Sequence, residues 1–521
     1  MRFVRLTVIA LASTTALAGV AGYAQYASQD DPADQGAPQP QQMGDAVLGR
    51  DVFRNETFGN EGFWTDAVRL PAGLIAAKVT PFQALQLGLQ VDADAVDGPT
   101  KAKLGAEIKA DPTGRTSSLL NDPAVTLVLL KAGAIIGVAP KGDKFGVTCA
   151  LCHTMTDASI WTVGKGGGTI GSRIDGVANH DLNLGKIFAA ASNTRALYTL
   201  AQVSLKANHG KSIGRAPSGL TDKSSEADFD AYFGNPLYYP IGTFDDTFDG
   251  NGDPMHNSAL FRQDLAAPYG SEGTFTKLDD FSNLVYTALF DQTMLTTPGG
   301  RAFVHTLAGA AGDEMIDNYA RILADTNVTG YPYVRASGAT PGMLASPIGA
   351  RADNRKLIAL TAYLSALPAP RGQFGDPAAM ARGRSLFVSS GCTGCHNTDQ
   401  SRPVPTTLHA MNTIFPGVRP MMLAARKPPL NPVLNTASNI FDDKWAVVNA
   451  SIRGEKRGVA MPLLLDLGRK PNFLHDNSVA NLDKLLDPAR GNSAPHPFYV
   501  RSRSQRGDLA IYLRGLDITS R

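Results

Sequence analysis

Apolar residues recur along this chain at helical spacing. Leu360, Tyr363, Leu364 and Leu367 fall at i, i+3, i+4 and i+7, and Leu509, Tyr512, Leu513 and Leu516 repeat that spacing. Each set makes one apolar stripe of an amphipathic helix. Pro368 and Pro370 stop the first. Residues 81–89 and 122–136 carry further helix-like stretches, and ARGRSLFVSSG at 381–391 reads as another. No alternation of apolar and polar positions is sustained, so extended strands are not expected. Many Gly, Asn and Asp turns lie between about 206 and 275. The pattern predicts a mainly α fold with long loops.

The longest apolar run, Leu6 to Val20, stands apart from this pattern. Arg2 and Arg5 precede it, and small residues follow from Ala21 to Ala24. That is the layout of an export signal over residues 1–24, with Gly22-Tyr23-Ala24 as a cleavage site. Left uncleaved, the same run would be an N-terminal anchor. The expected location is the bacterial periplasm, soluble or tethered, with membrane contact only in the uncleaved case. Residues 25–45 are polar and rich in Pro and Gln, a flexible linker. Residues 46–370 and 371–521 are then the two folded parts, with the boundary at the prolines near 368.

Composition narrows the class. A chain of 521 residues can hold several cores. Only 18% charged residues, with 52 Gly and 33 Pro, fit a compact, loop-rich protein rather than a disordered or coiled-coil one. The net charge of +2 gives no support to nucleic-acid binding. Removing residues 1–24 takes away Arg2 and Arg5 and leaves bases and acids equal in number. Docking to a partner then rests on local patches.

The four cysteines carry the chemistry. They fall in two frames, Cys149-Ala150-Leu151-Cys152-His153 and Cys392-Thr393-Gly394-Cys395-His396. C-x-x-C-H is the attachment motif of c-type haem. Two thiols three residues apart reach the two vinyl groups of one porphyrin, and the adjoining His meets the iron. A redox C-x-x-C pair does not require the His and does not explain two copies. A zinc site would have to join pairs far apart in sequence. A disulfide within C-x-x-C closes a tiny loop and stabilises little. The spacing therefore predicts two covalent haems, with Cys149, Cys152, Cys392 and Cys395 as attachment points and His153 and His396 as iron ligands.

The opposite face of each iron decides function. A second strong ligand favours electron transfer, and an open position allows peroxide or O2 chemistry. For the second haem the leading candidate is Met461, in Met461-Pro462, with Met421, Met422, His409 and His475 as rivals. The rival fate of such a Met is core packing. For the first haem it is His180, whose rival role is a surface or propionate-bonded His. His209, His256, Met255, His305 and Met294 stay open beside it. No residue is singled out as catalytic.

Gly383-x-x-x-Phe387, just before Cys392, looks like the first helix of a small cytochrome c domain. In that family the first helix packs against the last, here the Leu509–Leu516 stripe. The first motif follows GDKF, which does not read as a helix. The stretch after Met461, LLLDLGRKPNFLHDNSVANLDKLLDPARGNSAPHPF, resembles the bacterial di-haem cytochrome c peroxidase superfamily. The matching positions are Pro462, Leu464, Phe473, His475, Asp476, Ser478, Val479, Leu482, Leu485, Leu486, Pro488, Pro497 and Phe498. Ser-Val after the turn, Leu-Leu-x-Pro and the later Pro497-Phe498 make it more like the di-haem rubber oxygenases. Asn477 stands where that superfamily has Gly, and Asn tolerates the left-handed turn. The resemblance implies two cytochrome c-like haem domains, with a large insertion in the first. One haem would handle electrons and the other would bind peroxide or O2.

Three weaker signals complete the reading. Asp249, Asn251 and Asp253 resemble part of a calcium loop without its closing Glu, so calcium is a minor expectation beside a plain turn. Gly166 to Gly171 matches G-x-G-x-x-G outside any βαβ unit. Trp64, Trp161 and Trp445 are core residues by default. The expected function is that of a periplasmic di-haem c-type cytochrome transferring electrons to a redox partner protein. The alternative is a di-haem oxidoreductase, peroxidase- or oxygenase-like, acting at the first haem.

Overall fold

The structure is a computed structural model. It describes residues 44–516 except 165, 207–218, 237, 246–247, 249, 251–254, 268, 271–274, 400–407, 410–429, 432–435, 438–458, 461–462, 475–476, 478, 492–495 and 497. Helices dominate, and the sheets are small, with strands of two to four residues. The expected export signal, 1–24, and the expected linker apart from residues 44–45 lie outside the described residues. Among those described, no helix is long and apolar enough to cross a membrane.

Two helix pairs organise the chain. Ala46–Asn55 packs against Asn354–Ala366, and Pro377–Ser389 packs against Arg503–Arg514. Each helix starts where the sequence supplies a cap. The carboxylates of Asp45, Asp353 and Asp376 and the hydroxyl of Ser502 accept backbone N–H groups of the first turn. Pro377 opens its helix at the position that needs no N–H donor.

The two pairs share one contact geometry. A Cβ on Gly49 would stand 1.9 Å from the Ala359 carbonyl oxygen and 2.7 Å from Tyr363 Cβ. A Cβ on Gly383 would stand 2.2 Å from the Asp508 carbonyl oxygen and 2.7 Å from Tyr512 Cβ. One turn on, the Phe53 and Tyr363 rings lie 5.7 Å apart at 54°, and those of Phe387 and Tyr512 lie 5.7 Å apart at 58°. Gly-x-x-x-Phe thus meets x-x-x-x-Tyr twice. Glycine is required because the helices cross backbone to backbone. Each aromatic pair adds about 0.5–1.5 kcal/mol beyond its buried area. The Gly383–Phe387 helix meets the Leu509 stripe as the sequence predicts. Its N-terminal twin, Gly49-x-x-x-Phe53, is a finding of the structure.

The helices at 81–89 and 122–136 are shorter than expected, spanning Pro81–Gln86 and Pro123–Lys131. The second ends because Gly133 takes φ +66°. Extra chain in the N-terminal part lies on both sides of the first motif. Residues 56–148 separate the opening helix from Cys149, and they carry a three-stranded sheet edge, where Val91–Asp92 pairs with Thr169–Gly171 and that with Trp161–Thr162. Buried apolar residues form one large cluster between Val52 and Leu364, a smaller one between Leu85 and Ile170, and a separate one between Phe387 and Leu516.

Candidate functional site

The first motif leaves a β-hairpin, Val138–Lys141 with Lys144–Val147, and not a helix. Cys149 to His153 forms one tight turn, with the His153 N–H donating to the Cys149 carbonyl at 3.2 Å. That turn presents both thiols and the imidazole together. Burial pushes Cys149 up to about 11 and Cys152 up to about 12, so both are neutral thiols at pH 7. The Cys149 sulfur lies 3.2 Å from the Tyr286 hydroxyl. His153 Nδ1 lies 2.7 Å from the Ser258 carbonyl oxygen. The carbonyl can only accept, so Nδ1 carries the proton and Nε2 keeps its lone pair. That is the tautomer an iron ligand needs, fixed by its outer hydrogen bond. Burial also pushes His153 down to about 4, which keeps the ring neutral.

Two segments clamp this turn. The N–H of Gly176 donates to the His153 carbonyl at 2.7 Å, and that of Asn179 to the Cys152 carbonyl at 2.8 Å. The Asn257 side chain donates to the Asn179 carbonyl at 3.0 Å. His180 follows directly. Its Nδ1 is buried without a hydrogen-bond partner. Burial first, and the Lys470 charge second, push it down to about 3. His256 arrives on a short strand, with Nε2 3.1 Å from Lys470 Nζ. An ammonium can only donate, so this Nε2 lone pair is engaged.

The other candidates stand in different surroundings. His305 is exposed, with Nδ1 2.8 Å from Asp313 Oδ2. Met294 is packed in the large core. Met255 pairs through its backbone with Phe244. His209 lies outside the described residues. His180 directly follows Asn179, whose N–H donates to the Cys152 carbonyl.

The second motif follows Gly391, whose φ of +77° ends the preceding helix. The His396 N–H donates to the Cys392 carbonyl at 2.9 Å. Burial pushes the Cys392 thiol up. The His396 ring faces His496, with centroids 6.2 Å apart and planes at 46°. His496 Nδ1 is buried without a hydrogen-bond partner, and burial, followed by the His396 and Arg490 charges, pushes the ring down to about 4. Two imidazoles can share one metal ion at ring-centre separations up to about 6 Å, given metal–nitrogen bonds of about 2 Å. The observed spacing lies within that reach.

His496 is the residue that sequence reasoning missed. The signal was present, since it is the His flanked by prolines in SAPHPF, between positions already singled out. Met461, Pro462, Met421, Met422 and His475 lie outside the described residues. For His409 only the backbone is described, paired antiparallel with Val459–Ala460. Around Asn477 the Phe473 N–H donates to the Val479 carbonyl at 2.7 Å, and Asn477 takes φ +59°. Asn therefore accommodates the turn.

The remaining signals resolve simply. Asp249, Asn251 and Asp253 lie outside the described residues. Among those described, no group of three or more His, Cys, Asp or Glu could hold a metal ion. The glycine-rich run leads into the strand Thr169–Gly171 and not into a helix N-terminus, so it makes no phosphate cradle. Trp64 stacks on Phe188 in the core, Trp161 donates to the Pro112 carbonyl at 2.9 Å, and Trp445 is not described.

The chain matches no family model. It also matches no curated protein. Among solved structures, hydrazine synthase of Kuenenia stuttgartiensis, pressurised with xenon, aligns with 51% of this chain and 73% of its own, at 13% identity and a TM-score of 0.27. A likeness at that score carries no weight for fold or chemistry.

Proposed function

We propose that this protein is an exported, periplasmic di-haem c-type cytochrome of two haem domains, 46–370 and 371–521, that transfers electrons to or from a redox partner protein. The observation that supports it most is the repeat. Two C-x-x-C-H turns each accompany a Gly-x-x-x-Phe helix packed on a Tyr-bearing closing helix. Cys149 and Cys152 would hold one haem, with His153 on its iron. Cys392 and Cys395 would hold the other, with His396 on its iron. The haem, once bound, supplies a centre that gains or loses one electron at a time. The Ser258 carbonyl fixes the His153 tautomer and would hold that ring in place as a ligand. On the far face of the second haem, His496 joins Met461 as a candidate and is favoured by its spacing from His396. On the far face of the first, His180 remains the candidate.

A second reading is a peroxidase- or oxygenase-like di-haem oxidoreductase. It is favoured by the polar group of His180, His256 and Lys470 beside the first motif, which a simple carrier does not need. Visible and EPR spectra of the purified protein separate the two. Electron transfer alone expects two low-spin irons unaffected by peroxide or cyanide. A high-spin iron that responds to either establishes the oxidoreductase reading and overturns the simple carrier. For the second iron, a far-red thioether band lost in Met461→Ala supports Met461. Absence of that band, with a high-spin iron appearing in His496→Ala, supports His496.

A further inference from the structure

Lys470 is placed unusually. It belongs to the C-terminal part, where its ammonium stands 5.7 Å from the centre of the Phe473 ring. Its head crosses to the N-terminal part and donates to His256 Nε2 at 3.1 Å. Nearby chain makes the crossing firm. Arg469 donates to the Arg371 carbonyl at 2.8 Å, and Gln373 donates to the Gly468 carbonyl at 2.6 Å. Among the described residues no carboxylate approaches Lys470. Burial alone acts on it and pushes it down to about 8. A buried ammonium without a counter-charge is costly.

The donors around it are incompletely used. An ammonium has three N–H groups, and His256 takes one. His180 Nδ1, buried and close enough to feel the Lys470 charge, has no partner. Two ammonium hydrogens and one imidazole N–H match the lone pairs of a single carboxylate. The His153 turn lies alongside, since His256 is two residues from Ser258, whose carbonyl holds His153.

We propose that Lys470, His180 and His256 form a carboxylate-binding pocket beside the first haem, with its cation supplied by the other half of the chain. The carboxylate comes either from a propionate of that haem or from a small organic acid in solution. The pocket rests on the di-haem reading only for the first source.

The test compares the holoprotein with Lys470→Met and Lys470→Arg, using spectroelectrochemical titration with and without sodium acetate. A pyridine haemochrome assay first counts haems, so that a failure of the di-haem reading is seen separately. If the occupant is a propionate, Lys470→Met lowers the potential of the first haem, because a compensating positive charge is lost. The second haem stays unmoved, Lys470→Arg restores the value, and acetate changes nothing. If the occupant is a free acid, acetate binds the unmodified protein saturably in calorimetry, and Lys470→Met weakens that binding about tenfold or more. Should Lys470→Met not fold, Lys470→Gln removes the charge and keeps a donor. The proposal is overturned if the charge-removing variant matches the unmodified protein in both potentials and in its response to acetate.

Discussion

Asp175 shows how single residues tie the framework to the first motif. Its buried carboxylate accepts from Arg54 Nε at 2.6 Å, from the Tyr363 hydroxyl at 2.6 Å and from the Thr154 hydroxyl at 3.2 Å. Arg54 comes from the opening helix, Tyr363 from the closing helix, and Thr154 directly follows His153. Removing the carboxylate takes away the partner of an arginine and of two hydroxyls. Asp175→Ala should therefore cost roughly 2–4 kcal/mol in chemical denaturation, with Arg54 partly hydrated. Glu56 gives a pH-dependent counterpart. Burial alone would raise its pKa, but the Lys356 ammonium and the Phe58 N–H outweigh that and hold it below the usual range. A carboxylate with a depressed folded pKa stabilises above its unfolded value of about 4.3, and that contribution disappears as pH falls through the folded value. Glu56→Gln should be less stable than the unmodified protein at pH 7, by about 1 kcal/mol or less because the pair is partly solvated. The difference should vanish in melts run well below pH 4. A constant difference at all pH values would show that the ion pair is not its source.

The helix pairs make the sharpest prediction at the scale of elements. Gly49 and Gly383 sit where a methyl group would enter backbone, whereas Gly105, on the exposed side of the helix Gly98–Ala110, has nothing within 4 Å. Gly49→Ala and Gly383→Ala should each destabilise by roughly 1–3 kcal/mol, because two closely crossing helices must move apart. Gly105→Ala should stabilise by up to about 1 kcal/mol through helix propensity. Equal effects at all three sites in thermal melts would refute the close-crossing account. Here the sequence was legible where an apolar stripe marks a helix, as at Leu360–Leu364 and Leu509–Leu513. It was less legible at Gly49, because the residues that give the glycine meaning lie some three hundred positions away in the closing helix. The hairpin before Cys149 escaped notice because strands of four residues carry too little alternation to register. His496 escaped because a lone His acquires meaning only when the fold sets it opposite His396.

At the scale of the whole molecule, the buried cluster from Phe387 to Leu516 is distinct from the one between Val52 and Leu364. Each contains its own helix pair and borders its own C-x-x-C-H turn. On the proposed di-haem reading, loading one site with haem should therefore not require the other. The double substitution Cys392→Ala/Cys395→Ala should yield a folded protein with one haem per chain, and so should Cys149→Ala/Cys152→Ala. The two are not expected to be equivalent. His153 and His180 lie inside the large cluster's surroundings, clamped by residues 176–180 and 256–258, whereas His396 faces His496 in a much smaller core. Buried apolar area that a bound group completes counts for a larger share of stability in a small core. Losing the second haem should thus lower the melting temperature of the C-terminal unfolding transition more than losing the first lowers that of the N-terminal one. Differential scanning calorimetry on the two variants, with haem counted on the same samples, measures both effects. Two haems lost together in either variant would show that the sites load as one unit, and the separation of the cores would then be irrelevant to assembly.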